Sequence, residues 1–470
     1  MEPPVCSRAM RKEKLFMLTP KENLMRMFRG EMPEYLPRGG FTNVMCSGLE
    51  NVKAPGYHKD EFGVEYDGKE SVFDGAPIPI PGRYVIHDIT KWRDELKIPT
   101  FDGFDWEMLA KKDLENIDRS KTGVVMYYGK TFQRLMDFMG FEEGLCAMFE
   151  EPEECYALFD ALTEYNVELI KNLVKYYKPD SICIPDDTAT ARAPFISVKT
   201  YRELVKPFHK RIADVVLNAG VMLEMHDCGV CQDFIDDWLE LGVTSWNPAQ
   251  PQNDLPGIKA KYGRKLFTDT VSAAAGQNID VIKNNISFAT SVGGKCLGAF
   301  PGSAYVIAKR DELEQLTGAQ CKNVYLNLYK HYVSARDTHQ TPNTPNVNLF
   351  WALQQALANI EDEGGLQKRI ERYQECAAII RKGLKDMGLR LLLDEKKDNM
   401  SNTVTSVFLP VDAKVFLKEM EERGYTFYIG KADYAKQNMI QVANMGEIYP
   451  RDCRNMLRVF KECLETVKNS

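Results

Sequence analysis

In the middle of the chain, short apolar runs alternate with helical patterns, and this alternation limits the folds that the chain can adopt. The runs SICIP (181–185), VMLEM (221–225) and VTSW (243–246) have the length and composition of buried strands. Helical patterns over 199–217 and 231–241 separate them. Parallel strands need such crossover connections, so the sequence predicts βα units and a parallel sheet. The fold class is predicted to be α/β, and periodicity alone leaves two alternatives, an open doubly wound sheet and a closed (β/α) barrel.

Polar side chains follow two of these runs directly. Asp186 and Asp187 come after the first run, and His226 and Cys228 come after the second. In either fold, functional groups sit beyond the carboxyl ends of the strands. The aspartates are interpreted either as ligands of polar substrate groups or as a cap for the following turn. His226 and Cys228 offer imidazole and thiolate, two ligands that suit zinc, and the alternative is a buried thiol beside a hydrogen-bonded histidine.

A second chemical signal lies in the stretch 265–302, which reads KLFTDTVSAAAGQNIDVIKNNISFATSVGGKCLGAFPG. It places Asp269 and Lys295 each after a short apolar run, with the lysine in a glycine-rich turn. This is the arrangement by which a pyridoxal-phosphate enzyme binds its cofactor, because the aspartate keeps the ring nitrogen protonated and the lysine forms a Schiff base. The glycines within 293–298 would let the backbone approach a flat ring and its phosphate. The alternative is an unrelated pair of surface charges.

The composition fits a two-domain globular protein. The chain has 470 residues, more than one core usually supports, and its net charge of −7 gives no electrostatic footprint for nucleic acid. No apolar run reaches the roughly 18 residues needed to span a membrane. Twelve scattered cysteines, with no signal peptide, predict a cytoplasmic location. We therefore expect small-molecule substrates, with neither nucleic acid nor membrane as a partner.

The segment 19–264 resembles the uroporphyrinogen decarboxylase superfamily, particularly its corrinoid-linked methyltransferase and demethylase branch. The matching text is TPKENLMRMFRGEMPEYLP, PDDTATARAPFISVKTYRELVKPFHKRI, LEMHDCG and VTSWNPAQPQNDLPGIKAKYG. The resemblance implies a (β/α)₈ barrel, a corrinoid protein as methyl donor, and zinc held by His226, Cys228 and, as third ligand, a cysteine near the C-terminus. After KYGRKL the chain departs from this family, so the barrel is expected to be partial and its third zinc ligand absent.

From Leu266 onward the chain resembles class V pyridoxal-phosphate aminotransferases, most closely the 2-aminoethylphosphonate–pyruvate transaminases. The matching text includes TDTVSAAAGQNIDVIKNNISFATSVGGKCLGAFPG, TPNTPNVNLFWALQQAL and IQVANMGEIYPRD. The resemblance implies the C-terminal part of a fold type I enzyme with a small α+β domain, and it assigns the cofactor to Asp269 and Lys295. Thr344 matches a residue that reaches the cofactor phosphate of a neighbouring subunit, which implies a homodimer. Gln441 stands where this family has an arginine for the substrate carboxylate.

We therefore expect four segments: a leader at 1–18, a partial barrel at 19–264, a partial aminotransferase large domain at 265–365 and a small domain at 366–470. The expected function is a class V transaminase fused to a barrel. One alternative is a zinc- and corrinoid-dependent methyltransferase or demethylase, or another uroporphyrinogen decarboxylase-like enzyme, acting through the barrel. A fusion product without activity is the other alternative. The candidate substrate-binding residues are Asp186, Asp187, Gln441 and Asn444.

Overall fold

The computed structural model describes residues 18–31, 33, 39–49, 56–67, 72–73, 76–317, 323–393, 400–431 and 433–469. Of the expected leader, only Leu18 lies within these ranges. Contacts divide the chain into two compact units, and the division along the sequence falls between Leu255 and Pro256. We call them the N-terminal unit and the C-terminal unit. The four expected segments remain predictions.

The strands belong to separate small sheets rather than to one large sheet. In chain order they are β1 Phe41–Asn43, β2 Tyr57–Lys59, β3 Glu65–Asp67, β4 Val72–Phe73, β5 Ala76–Pro77, β6 Gly123–Tyr127, β7 Ser181–Pro185, β8 Met222–His226, β9 Ser245–Asn247, β10 Phe267–Asp269, β11 Phe288–Val292, β12 Ala304–Ala308, β13 Arg390–Leu391, β14 Val404–Phe408, β15 Tyr428–Ile429 and β16 Met439–Ala443.

The helices alternate with these strands in the N-terminal unit and cluster in the C-terminal unit. They are α1 Pro20–Phe28, α2 Trp92–Glu95, α3 Trp106–Leu114, α4 Phe132–Met139, α5 Phe141–Glu150, α6 Pro152–Asn172, α7 Val198–Thr200, α8 Lys206–Asn218, α9 Ile235–Glu240, α10 Leu255–Tyr262, α11 Arg310–Glu314, α12 Leu328–Thr338, α13 Val347–Asp362, α14 Leu366–Asp386, α15 Ala413–Glu422, α16 Asp433–Lys436 and α17 Pro450–Asn469. Two π-helical turns, Leu173–Tyr177 and Tyr201–Val205, continue α6 and precede α8.

The main sheet of the N-terminal unit is a parallel half-barrel. Its strand order is β1-β6-β7-β8-β9, and every neighbouring pair is parallel. From β6 onward, each strand therefore lies beside the next main-sheet strand in the sequence, whereas a doubly wound sheet reverses its order at a switch point. The α/β prediction is confirmed, and the barrel alternative is the one that the strand order supports.

The apolar runs form strands because both faces of this sheet are covered. Val124, Met126, Ile182, Ile184 and Leu223 are buried in one core with the helices around them. Parallel sheets covered on both faces have continuously apolar strands, which is the pattern seen at 181–185. The predicted run at 181–185 coincides with β7, whereas the next predicted strand begins one residue before β8.

The C-terminal unit contains two further sheets. In the first, β11 lies between a parallel β10 and an antiparallel β12. In the second, the antiparallel order is β13-β14-β16-β15, and this sheet shares a core with α14, α15 and α17. This arrangement confirms the α+β character expected of the last segment. Within the described residues, no helix has both the length and the apolar character needed to cross a bilayer.

Candidate functional site

The carboxyl edge of the half-barrel collects the polar residues that follow its strands. Pro185 of β7 pairs with His226 of β8, and His226 pairs with Asn247 of β9. The segments after these three strands therefore start side by side. This register places Asp187, two residues beyond β7, opposite Cys228, two residues beyond β8.

Three donor atoms come together at this edge. The side-chain donors of Asp187, His226 and Cys228 all lie within 4.8 Å of one another. His226 Nε2 is 3.6 Å from Cys228 Sγ and 3.9 Å from Asp187 Oδ1. His226 Nδ1 is 2.8 Å from Asn247 Oδ1, so the ring donates from Nδ1 and turns the lone pair of Nε2 toward the other two side chains. The sequence predicted His226 and Cys228 as a pair of candidate ligands, and the structure places Asp187 beside them.

The adjacent aspartate has a different environment. Asp186 is fully buried, and its carboxylate accepts hydrogen bonds from the backbone N–H groups of Phe132 (2.9 Å) and Gln133 (2.7 Å). It therefore caps the first turn of α4 from the segment that follows β7. Its Oδ2 also lies 2.8 Å from His209 Nε2. The structure favours the capping interpretation for Asp186, and its predicted substrate role remains untested.

Two further side chains at the turn after β8, those of Asp227 and Cys231, make hydrogen bonds. The buried Asp227 carboxylate accepts hydrogen bonds from Thr188 N at 2.9 Å and Thr188 Oγ1 at 2.5 Å. The Cys231 thiol is buried and contacts Asp227 O at 3.4 Å. Cys231 is not one of the three residues whose donor atoms come together.

The Cys228 thiol is strongly biased toward its protonated form when no cation is nearby. Burial, followed by the negative charge of Asp187, raises the pKa of Cys228 to about 12. A metal ion reverses this bias, because a coordinating thiol is deprotonated outright. The donor set of one thiol, one imidazole and one carboxylate therefore fits a zinc ion, which takes sulfur, nitrogen and oxygen ligands.

A second edge, in the C-terminal unit, carries Asp269 and Lys295. Asp269 ends β10 and pairs with Thr290 of the parallel strand β11, and Lys295 follows the end of β11. Both side chains are exposed. Asp269 Oδ1 accepts a hydrogen bond from Val271 N at 2.8 Å. The carboxylate lies on a cavity of about 880 Å³, and Lys295 is not part of its lining, which consists of Asp269, Val271, Ser272, Ala273, Gln277, Met400 and Ser401.

The glycines before Lys295 have a packing role. A Cβ on Gly293 would lie 2.3 Å from Ser303 Oγ, and a Cβ on Gly294 would lie 2.9 Å from Pro301 Cα. These glycines therefore allow the returning chain to pack against the turn. The interpretation that they leave room for a cofactor is not required by this geometry.

The other predicted residues of this unit lie in different surroundings. Thr344 is exposed in the loop between α12 and α13, and Gln441 is half-buried in the middle of β16. Asn444 is fully buried, and its Nδ2 donates hydrogen bonds to Tyr373 O (3.2 Å) and Asn402 O (3.0 Å). Among the described residues, no hydrogen bond joins Thr344, Gln441 or Asn444 to Asp269 or Lys295. Their site roles remain predictions.

Sequence reasoning missed a polar cluster that supports the Lys295 turn. The buried Tyr373 hydroxyl donates to Cys296 O at 2.8 Å and accepts from Gly446 N at 3.0 Å. Arg372 Nε donates to Glu363 Oε1 at 2.6 Å. The signal was available in RIERYQE of α14, where arginine and tyrosine fall on the same helix face as buried apolar residues.

Two family models match two different parts of the chain. Residues 124–256 match the family model described as uroporphyrinogen decarboxylase (URO-D), and residues 249–434 match the model described as aminotransferase class-V. Both resemblances inferred from the motifs are therefore confirmed, over shorter ranges than the motifs suggested.

The similar curated proteins are transaminases. A 2-aminoethylphosphonate–pyruvate transaminase of Vibrio cholerae serotype O1 is 29% identical over 229 residues, which span 47% of this chain and 60% of that protein. The protein of the same name from Bacteroides fragilis is 27% identical over 248 residues, or 50% of this chain and 67% of that protein. This chain thus spans about 60% of the length of the Vibrio protein.

Solved structures of aminotransferases also align with this chain. Alanine–glyoxylate aminotransferase from Nostoc sp. gives a TM-score of 0.43 at 19% identity, covering 64% of this chain and 72% of the Nostoc chain. Pyridoxamine-pyruvate aminotransferase from Mesorhizobium loti gives a TM-score of 0.45 at 19% identity, covering 62% of this chain and 74% of that one.

Proposed function

We propose that the C-terminal unit binds pyridoxal 5′-phosphate and catalyses amino transfer of the class V kind. The observation that carries the proposal is the parallel register of β10 and β11, which pairs Asp269 with Thr290. This register brings a carboxylate and, just beyond β11, the Lys295 amine to the same edge of one sheet. The class V match over 249–434 includes both residues.

Each of these two residues has one task in the proposed reaction. The bound cofactor supplies an electron sink for the carbanion that forms when the substrate loses a proton. Lys295 Nζ would hold the cofactor covalently and would move the proton at the substrate carbon. Asp269 Oδ1 is used by Val271 N, so Oδ2 is available to accept a hydrogen bond from the protonated ring nitrogen.

Asp269 supports the ring side of the cofactor, whereas Lys295 lies outside the lining of the cavity beside it. The cavity beside Asp269, at about 880 Å³, has room for a molecule of that size. For the phosphate we propose Thr344 of a second copy, in a homodimer. Thr344 precedes a run of exposed apolar side chains on α13, which support an interface: Val347 (48% exposed), Phe350 (55%) and Trp351 (66%).

The substrate is proposed from the relatives. Their names specify 2-aminoethylphosphonate as amine donor and pyruvate as acceptor. We propose the same small-molecule class for this chain, acting in the cytoplasm. Gln441 cannot offer the charged two-point grip of a guanidinium, so the acceptor carboxylate would be bound more weakly here.

Reductive trapping tests this function. Full-length protein incubated with pyridoxal 5′-phosphate and reduced with borohydride should carry one cofactor adduct on the peptide that contains Lys295, as measured by mass spectrometry. Lys295→Ala should abolish the adduct. Lys283→Ala, at another exposed lysine of this unit, is the matched control and should retain it. Absence of an adduct at Lys295 in the parent protein would contradict the proposal.

The cluster of Asp187, His226 and Cys228 favours a second candidate function in the N-terminal unit. We propose metal-dependent methyl transfer or demethylation, with a corrinoid protein as methyl donor. A zinc ion bound there would lower the pKa of an acceptor thiol and supply a thiolate to the methyl group. Decarboxylation of the kind named in the matching family model, and a fusion without activity, remain the alternatives.

A further inference from the structure

The donor cluster at the carboxyl edge of the half-barrel has the dimensions of a zinc site. In tetrahedral coordination, with Zn–N of about 2.0 Å and Zn–S of about 2.3 Å, neighbouring donor atoms lie about 3.5 Å apart. The observed separations of His226 Nε2 from Cys228 Sγ and Asp187 Oδ1 are 3.6 Å and 3.9 Å. The three side chains would therefore need only small movements to share one ion.

Hydrogen bonds already hold the members of the cluster in place. Asn247 Oδ1 fixes the tautomer and orientation of His226, and this is the usual function of a partner behind a metal-ligating histidine. Cys228 N donates to Asp187 Oδ1 at 2.8 Å, which ties the turn after β8 to the turn after β7. Carboxylate oxygens have more than one lone pair, so this bond leaves Asp187 able to bind a cation.

The other potential metal ligands near the cluster make hydrogen bonds elsewhere. The Asp186 carboxylate caps α4, the Asp227 carboxylate binds Thr188, and the Cys231 thiol contacts Asp227 O. Asp187 and His226, in contrast, have side chains that are 42% and 31% exposed. A site with three protein ligands and access to solvent is the arrangement of catalytic zinc, because the fourth position stays open to a water or substrate.

We propose that Asp187, His226 and Cys228 form a complete three-ligand site for Zn²⁺, in which Asp187 supplies the ligand that the sequence motif lacks. The site is thus built within β7, β8 and the turns that follow them, and it needs no residue from the missing closing strands. This assignment rests on the second candidate function, whose metal the site would hold. Metal binding can be measured without any turnover.

Cobalt titration of the full-length protein tests the assignment. Co²⁺ takes zinc-like sites and reports thiolate ligation through a charge-transfer band, so the parent protein should bind one Co²⁺ with that band and release it to Zn²⁺. Cys228→Ser should abolish the band. Asp187→Asn should weaken Co²⁺ affinity by at least about 10–100-fold, the range caused by loss of even an outer-shell partner.

The choice of variants separates ligation from folding. Asparagine at position 187 keeps an oxygen to accept from Cys228 N, so the turn stays tied while the charge is removed. Cys231→Ser and Asp233→Ala are matched controls from the same segment and should bind Co²⁺ as the parent does. Parent-like affinity in Asp187→Asn, or a parent protein that binds no Co²⁺, would overturn the inference.

A separate assay distinguishes metal binding from methyl transfer. In methyl transfer from methylcobalamin to a thiol, the Co–C bond breaks heterolytically, the thiolate takes the methyl group, and the electron pair stays on cob(I)alamin. A parent protein that binds one Co²⁺ or Zn²⁺ but forms no cob(I)alamin supports the metal site and contradicts the methyl-transfer function.

Discussion

At the scale of single residues, Glu312 secures the start of the C-terminal unit. Its side chain accepts hydrogen bonds from Ser287 Oγ at 2.8 Å and Lys259 Nζ at 3.3 Å, and it also pairs with Lys265. The hydrogen bond from Lys265 is the main cause that lowers the pKa of Glu312 to about 2. Ser287 Oγ in turn accepts from Leu266 N, so one carboxylate links three segments of the chain.

Glu312→Gln should therefore reduce stability in a pH-dependent way. A carboxyl with a lowered pKa stabilises the folded state fully above its ordinary pKa of 4.5, and this stabilisation is lost as the pH falls from about 4.5 toward 2. At neutral pH the variant should lose about 1–3 kcal/mol in free energy of unfolding. The measurement is urea unfolding of the parent and the variant between pH 7 and pH 3.

The exposed Glu361 provides the control for this comparison. Glu361→Gln should match the parent at every pH, because that side chain is on the outer surface of α13. A difference between the parent and Glu312→Gln that stays constant down to pH 3 would contradict the prediction.

The sequence indicated candidate residues at the strand ends but not the contacts that each of them makes. His226 and Cys228 were singled out because an imidazole and a thiol, one residue apart at a strand end, are both ligand types that suit zinc. Asp186 and Asp187 could not be told apart, because only the fold shows that one carboxylate turns inward to α4 and the other toward His226. The proximity of Asp187 to His226 and Cys228 depends on β7 lying next to β8 in a fixed register, which is a long-range contact.

At the scale of helices and strands, Gly140 makes the junction of α4 and α5 possible. Its φ of 83° and ψ of 165° lie in a region that is essentially restricted to glycine. A Cβ at this position would be 2.6 Å from Tyr84 Cζ. Sequence periodicity does not indicate this junction, since a tight turn between two helices depends on one backbone conformation.

Gly140→Ala should therefore destabilise the N-terminal unit by about 3 kcal/mol, combining backbone strain with a steric clash. Gly220→Ala is the matched control, because Gly220 also has a positive φ, 71°, but no atom lies within 4 Å of the place that its Cβ would take. The control should lose roughly 1–2 kcal/mol from backbone strain alone. Equal losses in chemical denaturation would show that contact with Tyr84 costs nothing.

At the scale of the whole molecule, the two units have separate cores. One buried cluster runs from Val44 to Val243, and the other runs from Cys376 to Leu464. The length of the chain predicted more than one core. Length alone does not indicate where one core ends, because that depends on which residues contact each other in the fold.

Separate cores should give two transitions in calorimetric unfolding. Gly140→Ala should lower only one midpoint. Gly383→Ala should lower only the other, by overpacking of about 1–3 kcal/mol, because a Cβ there would be 2.4 Å from Leu457 Cδ1 of α17. A single transition that both variants shift equally would contradict the independence of the two cores.

The strand order of the half-barrel also has a consequence for the order of synthesis. From β6 to β9, each strand pairs with the next strand of the sheet to leave the ribosome, and all of these pairs precede residue 256. Domains generally fold as units during translation, starting with the N-terminal one. The half-barrel and its cluster of Asp187, His226 and Cys228 can therefore assemble on the nascent chain before the strand that carries Asp269 has emerged from the ribosome.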